Sequence, residues 1–354
     1  MDIQHLLKQM TLKEKLGQMT QLPPHMFIEA SKTQVYGEKR TLALDPNDYM
    51  LAGSVLGIRN AQEMIEIQTL ILKHSRLKIP ALIMADVIHG YETIFPIPLA
   101  QAASFNPPLT TQMNQISAIE ASTSGIHVTF APMVDLSRDA RWGRVMEGYG
   151  EDPLLNQVFA AAAVKGYQHS TPKEVGYVAS CFKHFAGYGA SEAGRDYNTV
   201  DMSYERFYNM YQPSYQAAVD AGASMVMLAF NTFNGVPATI HQTLVKHILK
   251  DQMGFEGVII SDYDALHQTV AHGAAKDDYD AATLGIKAGL DIEMGSSAYL
   301  THGEALVRDG LIKESDIDQA VLKILALKEA LGLFENPFKG ADIDKEKEIV
   351  RSEE

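Results

Sequence analysis

Short apolar runs, many of them rich in β-branched residues, recur along the chain. They are GSVLG (53–57), ALIMAD (81–86), HVTFAP (127–132), YVASCFKH (177–184), SMVML (224–228), GVIISD (257–262) and GLDIEM (289–294). A strand covered on both faces, as in a parallel sheet, reads as a continuous apolar run rather than an alternation. Between the runs lie helical patterns at 61–75, 109–124, 152–168, 204–221, 241–252 and 279–288. Strand–helix alternation predicts a parallel sheet. Seven or eight such units in ~250 residues predict an α/β fold, a (β/α)8 barrel of the TIM type, with an irregular first unit allowed. A doubly wound open sheet is the second choice. No GxGxxG follows an early strand, which counts against its dinucleotide-binding version.

The ends of the chain read differently. Residues 1–19 have an amphipathic helical pattern with charges throughout. The last helix is predicted to start at Ser315, with Asp318 completing a capping box, Ile317, Val321, Ile324, Leu325 and Leu331 as its apolar stripe, and Gly332 as its stop. Apolar residues then almost vanish. Residues 1–338 are therefore read as the barrel and 339–354 as a linker or tail towards a second domain.

Several predicted strands end in polar groups: Asp86, Lys183 with His184, Asp262, and Asp291 with Glu293. Catalytic groups of a barrel gather at the C-terminal ends of its strands, so these residues predict one shared polar pocket. Asp262 is the sharpest case. It closes the run Val258 to Ser261, read as a strand buried on both faces, and either sits at the barrel mouth or caps the next helix.

Composition narrows the field. The 354 residues are 46% hydrophobic and 21% charged, with a net charge of −14, which argues against nucleic-acid or anionic-membrane partners. One cysteine, Cys181, permits no internal disulfide and suggests a reducing compartment. No signal-peptide pattern and no apolar run near ~20 residues is present, so a cytoplasmic location and no membrane partner are expected. No residue spacing suits a closed metal site, and no cofactor is expected; Asp291 and Glu293 could face a cation, but strand-end hydrogen bonding is the preferred reading of them. The sixteen methionines read as core filling.

Six segments carry a family resemblance: MADVIHG (84–90), RWGRVMEGYGEDP (141–153), KHFAGYG (183–189), YNTVDMS (197–203), GVIISDYDAL (257–266) and LALKEALGLFENPF (325–338). In this order they resemble glycoside hydrolase family 3, across residues 1 to about 340, and within it a bacterial β-glucosidase. The resemblance implies a retaining, exo-acting hydrolase of terminal non-reducing β-D-glucosyl residues, with a β-glucoside or gluco-oligosaccharide as substrate. Asp262 matches the nucleophile that forms a covalent glycosyl-enzyme. Lys183 and His184 match a pair that binds sugar hydroxyls. Neighbouring strand residues point to opposite faces, so both reaching one sugar requires irregular backbone. Asp86 and Arg144 match further hydroxyl contacts. Phe230 and Tyr263 match wall positions where the family commonly has tyrosine and tryptophan, so Phe230 removes a hydroxyl near the nucleophile. Ala140 replaces a usual proline.

Retention also needs a general acid/base. The resemblance places that glutamate in a second α/β domain beyond these residues, or on a partner chain. The family's N-acetylglucosaminidase branch uses a His–Asp dyad instead. Here Tyr188 stands in place of the histidine, and no other follows before His241. Glu92, Glu147, Glu151, Glu192, Asp196 and Glu293 are the surrogates within the chain. Glu147 and Glu151 also read as loop organisers, and Asp196 as a buttress for Lys183. Trp142 is left open between packing and stacking, while His89 is read as closing its loop. Two other functions stand beside the glucosidase: an exo-β-N-acetylhexosaminidase and a catalytically impaired carbohydrate-binding barrel. An oligomer is compatible with all three.

Overall fold

The computed structural model describes residues 1–28 and 44–352. Eight strands form a closed, all-parallel barrel: β1 Thr20–Leu22, β2 Ser54–Leu56, β3 Leu82–Ala85, β4 Val128–Thr129, β5 Ala179–Phe185, β6 Met225–Leu228, β7 Val258–Tyr263 and β8 Ile292–Met294. Closure comes from β1, which pairs β8 on one side (Thr20 beside Glu293) and β2 on the other (Gln21 beside Ser54). All seven apolar runs became strands. β1 had no such signal because its sequence is TQL. Its polar residues are nevertheless fully buried, and the Thr20 hydroxyl donates to the Leu16 carbonyl at 3.1 Å.

The helices outside the barrel start where capping residues allow. Asn60 accepts from the Glu63 N–H ahead of Ala61–His74, and Asp152 accepts from Leu155 ahead of Pro153–Tyr167, with proline at the first position. The N-terminal amphipathic stretch is two helices, Ile3–Gln9 and Leu12–Gln18. Thr11 and Glu14 form a reciprocal capping box that restarts the helix. The last barrel helix is Glu314–Ala330. It starts one residue before the predicted Ser315, because Asp316 rather than Asp318 accepts from the Lys313 N–H. Asp318 instead pairs with Lys15 at 2.7 Å. Gly332, at φ +75°, ends it as expected.

The polar run after Phe338 folds back onto the barrel. Helix Ile343–Ile349 is capped by Asp342, Glu346 accepts from the Ala61 N–H at 3.0 Å, and the Arg351 N–H reaches Glu120 at 2.9 Å. Charged side chains supply the contacts that apolar residues would otherwise make, and low hydrophobicity alone did not reveal this. Among the described residues, no helix is long and apolar enough to cross a membrane.

One tight contact positions the start of β2. A Cβ on Gly53 would lie 2.5 Å from the backbone of Gln18. Gly53→Ala is expected to destabilise the fold by about 1–3 kcal/mol through overpacking, read as a lower urea midpoint at unchanged slope.

Candidate active site

β7 delivers Asp262 to the C-terminal mouth of the barrel. Its Oδ1 accepts the Tyr263 N–H at 2.7 Å, while Oδ2 has no hydrogen-bond donor. The helix-cap reading fails: helix Ala265–Ala271 begins after Asp264, which takes the left-handed conformation at the cap position. The Asp262 side chain is 12% exposed. Burial pushes its carboxyl up from an ordinary 3.8 to about 7, against the opposing pull of Arg144 and Lys183.

β5 contributes Lys183 and His184. The irregular backbone that this pair required is present: the pairing register with β6 shifts between Lys183 and Phe185, and the Lys183–His184 peptide is cis. The Lys183 ammonium reaches Asp86, at the end of β3, at 2.6 Å. His184 turns its Nε2 towards Asp262 Oδ2, 3.4 Å away. Both side chains of the pair thus address one pocket, and Asp86, with a side chain 45% exposed, forms its solvent edge.

Arg144 lies in the loop after β4. Two hydrogen bonds to Glu147, of 2.7 and 2.9 Å, fix its guanidinium, which lies 5.6 Å from the Tyr188 ring centroid. Glu147 therefore organises the loop, as one of its two readings had it. Trp142 is buried, and its indole N–H donates to Asp196 at 2.9 Å, so it is a packing residue. Asp196 does not buttress Lys183 as expected; that role falls to Asp86. The Phe230 ring is buried against Tyr197 at 4.5 Å, and Tyr263 lies against Gly295, where a Cβ would meet its ring at 2.6 Å. His89 closes its loop by facing the Phe95 carbonyl at 2.8 Å.

Two of the expected pocket residues lie elsewhere and make the strand-end hydrogen bonds that were their other reading. Asp291 precedes β8, and holds the Ile259 N–H at 2.9 Å and Lys323 at 3.0 Å. Glu293 points to the N-terminus of helix Ala298–Arg308, accepting from Ala298 at 2.9 Å and Tyr299 at 2.7 Å. Their polarity serves helix and strand ends, which the sequence pattern alone does not separate from a mouth. Of the other surrogate acids, Glu92 pairs with Arg351, while Glu151 and Glu192 are exposed. No group of three or more His, Cys, Asp or Glu side chains suited to a metal occurs among the described residues.

Three groups escaped the sequence reading. Beyond β4 the chain runs on beside β5: the Lys183 N–H donates to Pro132 at 3.0 Å and the Val134 N–H to Lys183 at 2.7 Å. This brings Asp135, fully buried, against His184 Nδ1 at 2.7 Å. Tyr215, on helix Gln212–Asp220, donates towards Asp135 and the His184 carbonyl, and accepts the Gly187 N–H. Tyr197, half exposed at φ +64°, packs against Phe230 with the rings tilted at 46°, and the nearby charge of Asp262 adds to the burial that raises its phenol. An aspartate set among Met133, Val134 and Leu136 was a legible sign of a buried charge. For Tyr215, an ordinary helix residue, no sign existed.

The pattern characteristic of the glycosyl hydrolase family 3 N-terminal domain matches residues 11–327. A periplasmic β-glucosidase of Salmonella typhimurium is 39% identical over 94% of this chain and 42% of its own length. A putative β-xylosidase of Formosa agariphila is 30% identical over 98% of this chain and 47% of its own length. The β-glucosidase of Listeria innocua in complex with isofagomine superposes with a TM-score of 0.95 at 45% identity, over 99% of this chain and 48% of that one. A mutant of it in complex with laminaribiose gives 0.95 at 44%, over 99% and 49%. The chain thus spans about half the length of these relatives.

Proposed function

Because the chain belongs to glycosyl hydrolase family 3, we propose that it acts on terminal β-D-glucosyl residues by a retaining mechanism, with Asp262 as nucleophile and the general acid supplied from outside residues 1–354. The observation that carries this reading is the free Oδ2 of Asp262. It sits in the pocket lined by Lys183, Asp86 and Arg144, with the other carboxylate oxygen pinned by the Tyr263 N–H. A carboxylate so held is oriented for attack before the substrate arrives. Asp262 Oδ2 bonds to the anomeric carbon as the glycosidic C–O bond breaks, and the leaving oxygen takes a proton from the acid. Water then attacks the same carbon, the ester bond breaks, and the proton returns to the acid/base. Asp86 accepts from sugar hydroxyls while Lys183 donates to them, so a bound glucosyl ring replaces part of their mutual ion pair.

The test is covalent trapping. A 2-deoxy-2-fluoro-β-glucosyl dinitrophenolate carries a leaving group that needs little protonation, and its fluorine slows release of the ester. Intact mass should show one fluoroglucosyl adduct, mapped to Asp262. The 2-deoxy-2-fluoroxylosyl analogue, and a 5-fluoro-N-acetyl-β-glucosaminyl reagent whose C2 keeps its acetamido group, should label more slowly. A label on another carboxylate overturns the nucleophile assignment, and faster labelling by the xylosyl analogue makes the chain a xylosidase.

A further inference from the structure

Behind the nucleophile, two carboxylates face the two nitrogens of one imidazole. Asp135 Oδ2 stands 2.7 Å from His184 Nδ1, and His184 Nε2 stands 3.4 Å from Asp262 Oδ2. Neither Nε2 nor Asp262 Oδ2 has another partner. His184 and Asp135 are both fully buried. Resting on the nucleophile reading above, we propose that Asp135 is a positioning residue that sets the charge of Asp262 through His184, by accepting the proton that Asp262 must shed before it can attack.

Burial holds the His184 ring well below its ordinary 6.5, so it is neutral and carries one N–H. If that hydrogen lies on Nδ1, facing an ionised Asp135, then Nε2 is a bare lone pair and favours a protonated Asp262. Moving the Asp262 proton to Nε2 and the Nδ1 proton to Asp135 leaves Asp262 ionised, with Nε2–H facing it. The three groups carry two protons and one negative charge before and after. No proton is exchanged with solvent, and no base beyond these side chains is required. Burial raises both Asp135 and Asp262 from the ordinary 3.8 to about 7, so each carboxyl can hold a proton near neutral pH. The 3.4 Å gap is longer than a formed hydrogen bond, and such contacts commonly tighten when substrate enters.

Other charges face the trio. Arg144, held by Glu147, and Lys183, held by Asp86, both favour ionised Asp262, while Asp86 itself opposes it. The Tyr188 ring stands edge-on to His184 at 5.1 Å, and Tyr197 and Cys181 also feel the Asp262 charge. Tyr215 donates towards Asp135 Oδ1, and the His184 backbone N–H donates to Oδ2.

These last two contacts fix the sign of the test. In Asp135→Asn, the amide oxygen must take the Oδ2 position, because the His184 backbone N–H needs an acceptor there. The amide nitrogen then faces the Tyr215 oxygen. The ring is locked with hydrogen on Nδ1, and bare Nε2 faces Asp262. Loss of a neighbouring negative charge alone would lower the midpoint of Asp262; the locked tautomer raises it. The experiment is the pH dependence of fluoroglucosyl labelling, in the wild-type chain and in Asp135→Asn. The expected result is an acid-limb midpoint at least about one unit higher in the variant, hence labelling slowed about tenfold at pH 6, with the circular dichroism spectrum unchanged. An unchanged or lower midpoint overturns the relay. Should the variant not fold, or should wild type take no label, the ¹⁵N signals of His184 in the wild-type chain decide. Protonated Nε2 above the midpoint supports the relay, and hydrogen on Nδ1 at every pH overturns it. Wild type unlabelled at every pH counts against the nucleophile reading instead.

Discussion

Asp262→Ala is expected to lower turnover of aryl β-glucosides by on the order of 10⁴-fold or more, since in the proposed mechanism it removes the atom that forms the intermediate. The fold should survive, because the carboxylate is tied to the protein by one backbone hydrogen bond and contributes little packing. The conservative Asp262→Asn should be equally inactive, and more stable than wild type at alkaline pH. The folded-state carboxyl titrates near 7 against an ordinary 3.8. Folding therefore favours the protonated form. The group imposes no penalty below pH 3.8, a growing one as pH rises towards 7, and its full penalty above that. Asparagine removes the penalty, so thermal melts at pH 8 should show a gain on the order of 2 kcal/mol that fades towards pH 4. Near-normal aryl glucosidase activity in either variant would remove Asp262 from the nucleophile's role. A stability gain that does not fade with acid would mean that its carboxyl is not held up by burial.

Residues 1–354 on their own should hydrolyse disaccharides far less well than nitrophenyl glucosides. A sugar hydroxyl is a poor leaving group and needs a proton, worth ~10²–10⁴-fold when delivered by a positioned acid. Nitrophenolate leaves with little help. A retaining acid belongs ~5–5.5 Å from the nucleophile. Glu147 is engaged by Arg144, Asp196 by the Trp142 indole, Glu293 by a helix N-terminus and Glu92 by Arg351. The disaccharide rate should therefore fall ~10²–10⁴-fold further below that of the full-length relatives than the nitrophenyl rate does, and an added α/β domain with a glutamate should close the gap. Comparable deficits on both substrates would place an acid within this chain. Glu192, exposed on the loop after β5, and Asp196 would then be the first to replace.

Much of this was legible without coordinates. Runs such as VIIS before Asp262 report burial on both faces, and burial along a strand is written in consecutive residues. The glycine at 332 and the capping asparagine at 60 mark helix ends by local conformation alone. The carboxylate at the end of β7 and the Lys183–His184 pair were found because their chemistry contradicts the apolar run that carries them. β1 was not found: the TQL backbone pairs with β8 and β2, which become its neighbours only when the barrel closes, so its own composition says nothing. Asp291 and Glu293 were read both as pocket groups and as strand-end hydrogen-bonding groups, and the second reading holds. A polar residue beside a strand looks the same in sequence whether it meets a substrate, a lysine or a helix N-terminus.

The sequence by itself determined the alternation of strand and helix, with a barrel preferred over an open parallel sheet, and the identity of the residue at the end of its seventh strand. Those properties depend on near neighbours in the chain, through burial periodicity and backbone preference. Only the tertiary structure decided which side chains surround that residue. Asp86 meets Lys183 across 97 positions, Tyr215 meets Asp135 across 80, and Asp135 meets His184 across 49. Hydrogen bonds and charge act over a few ångströms of space, and closure of the sheet sets those distances.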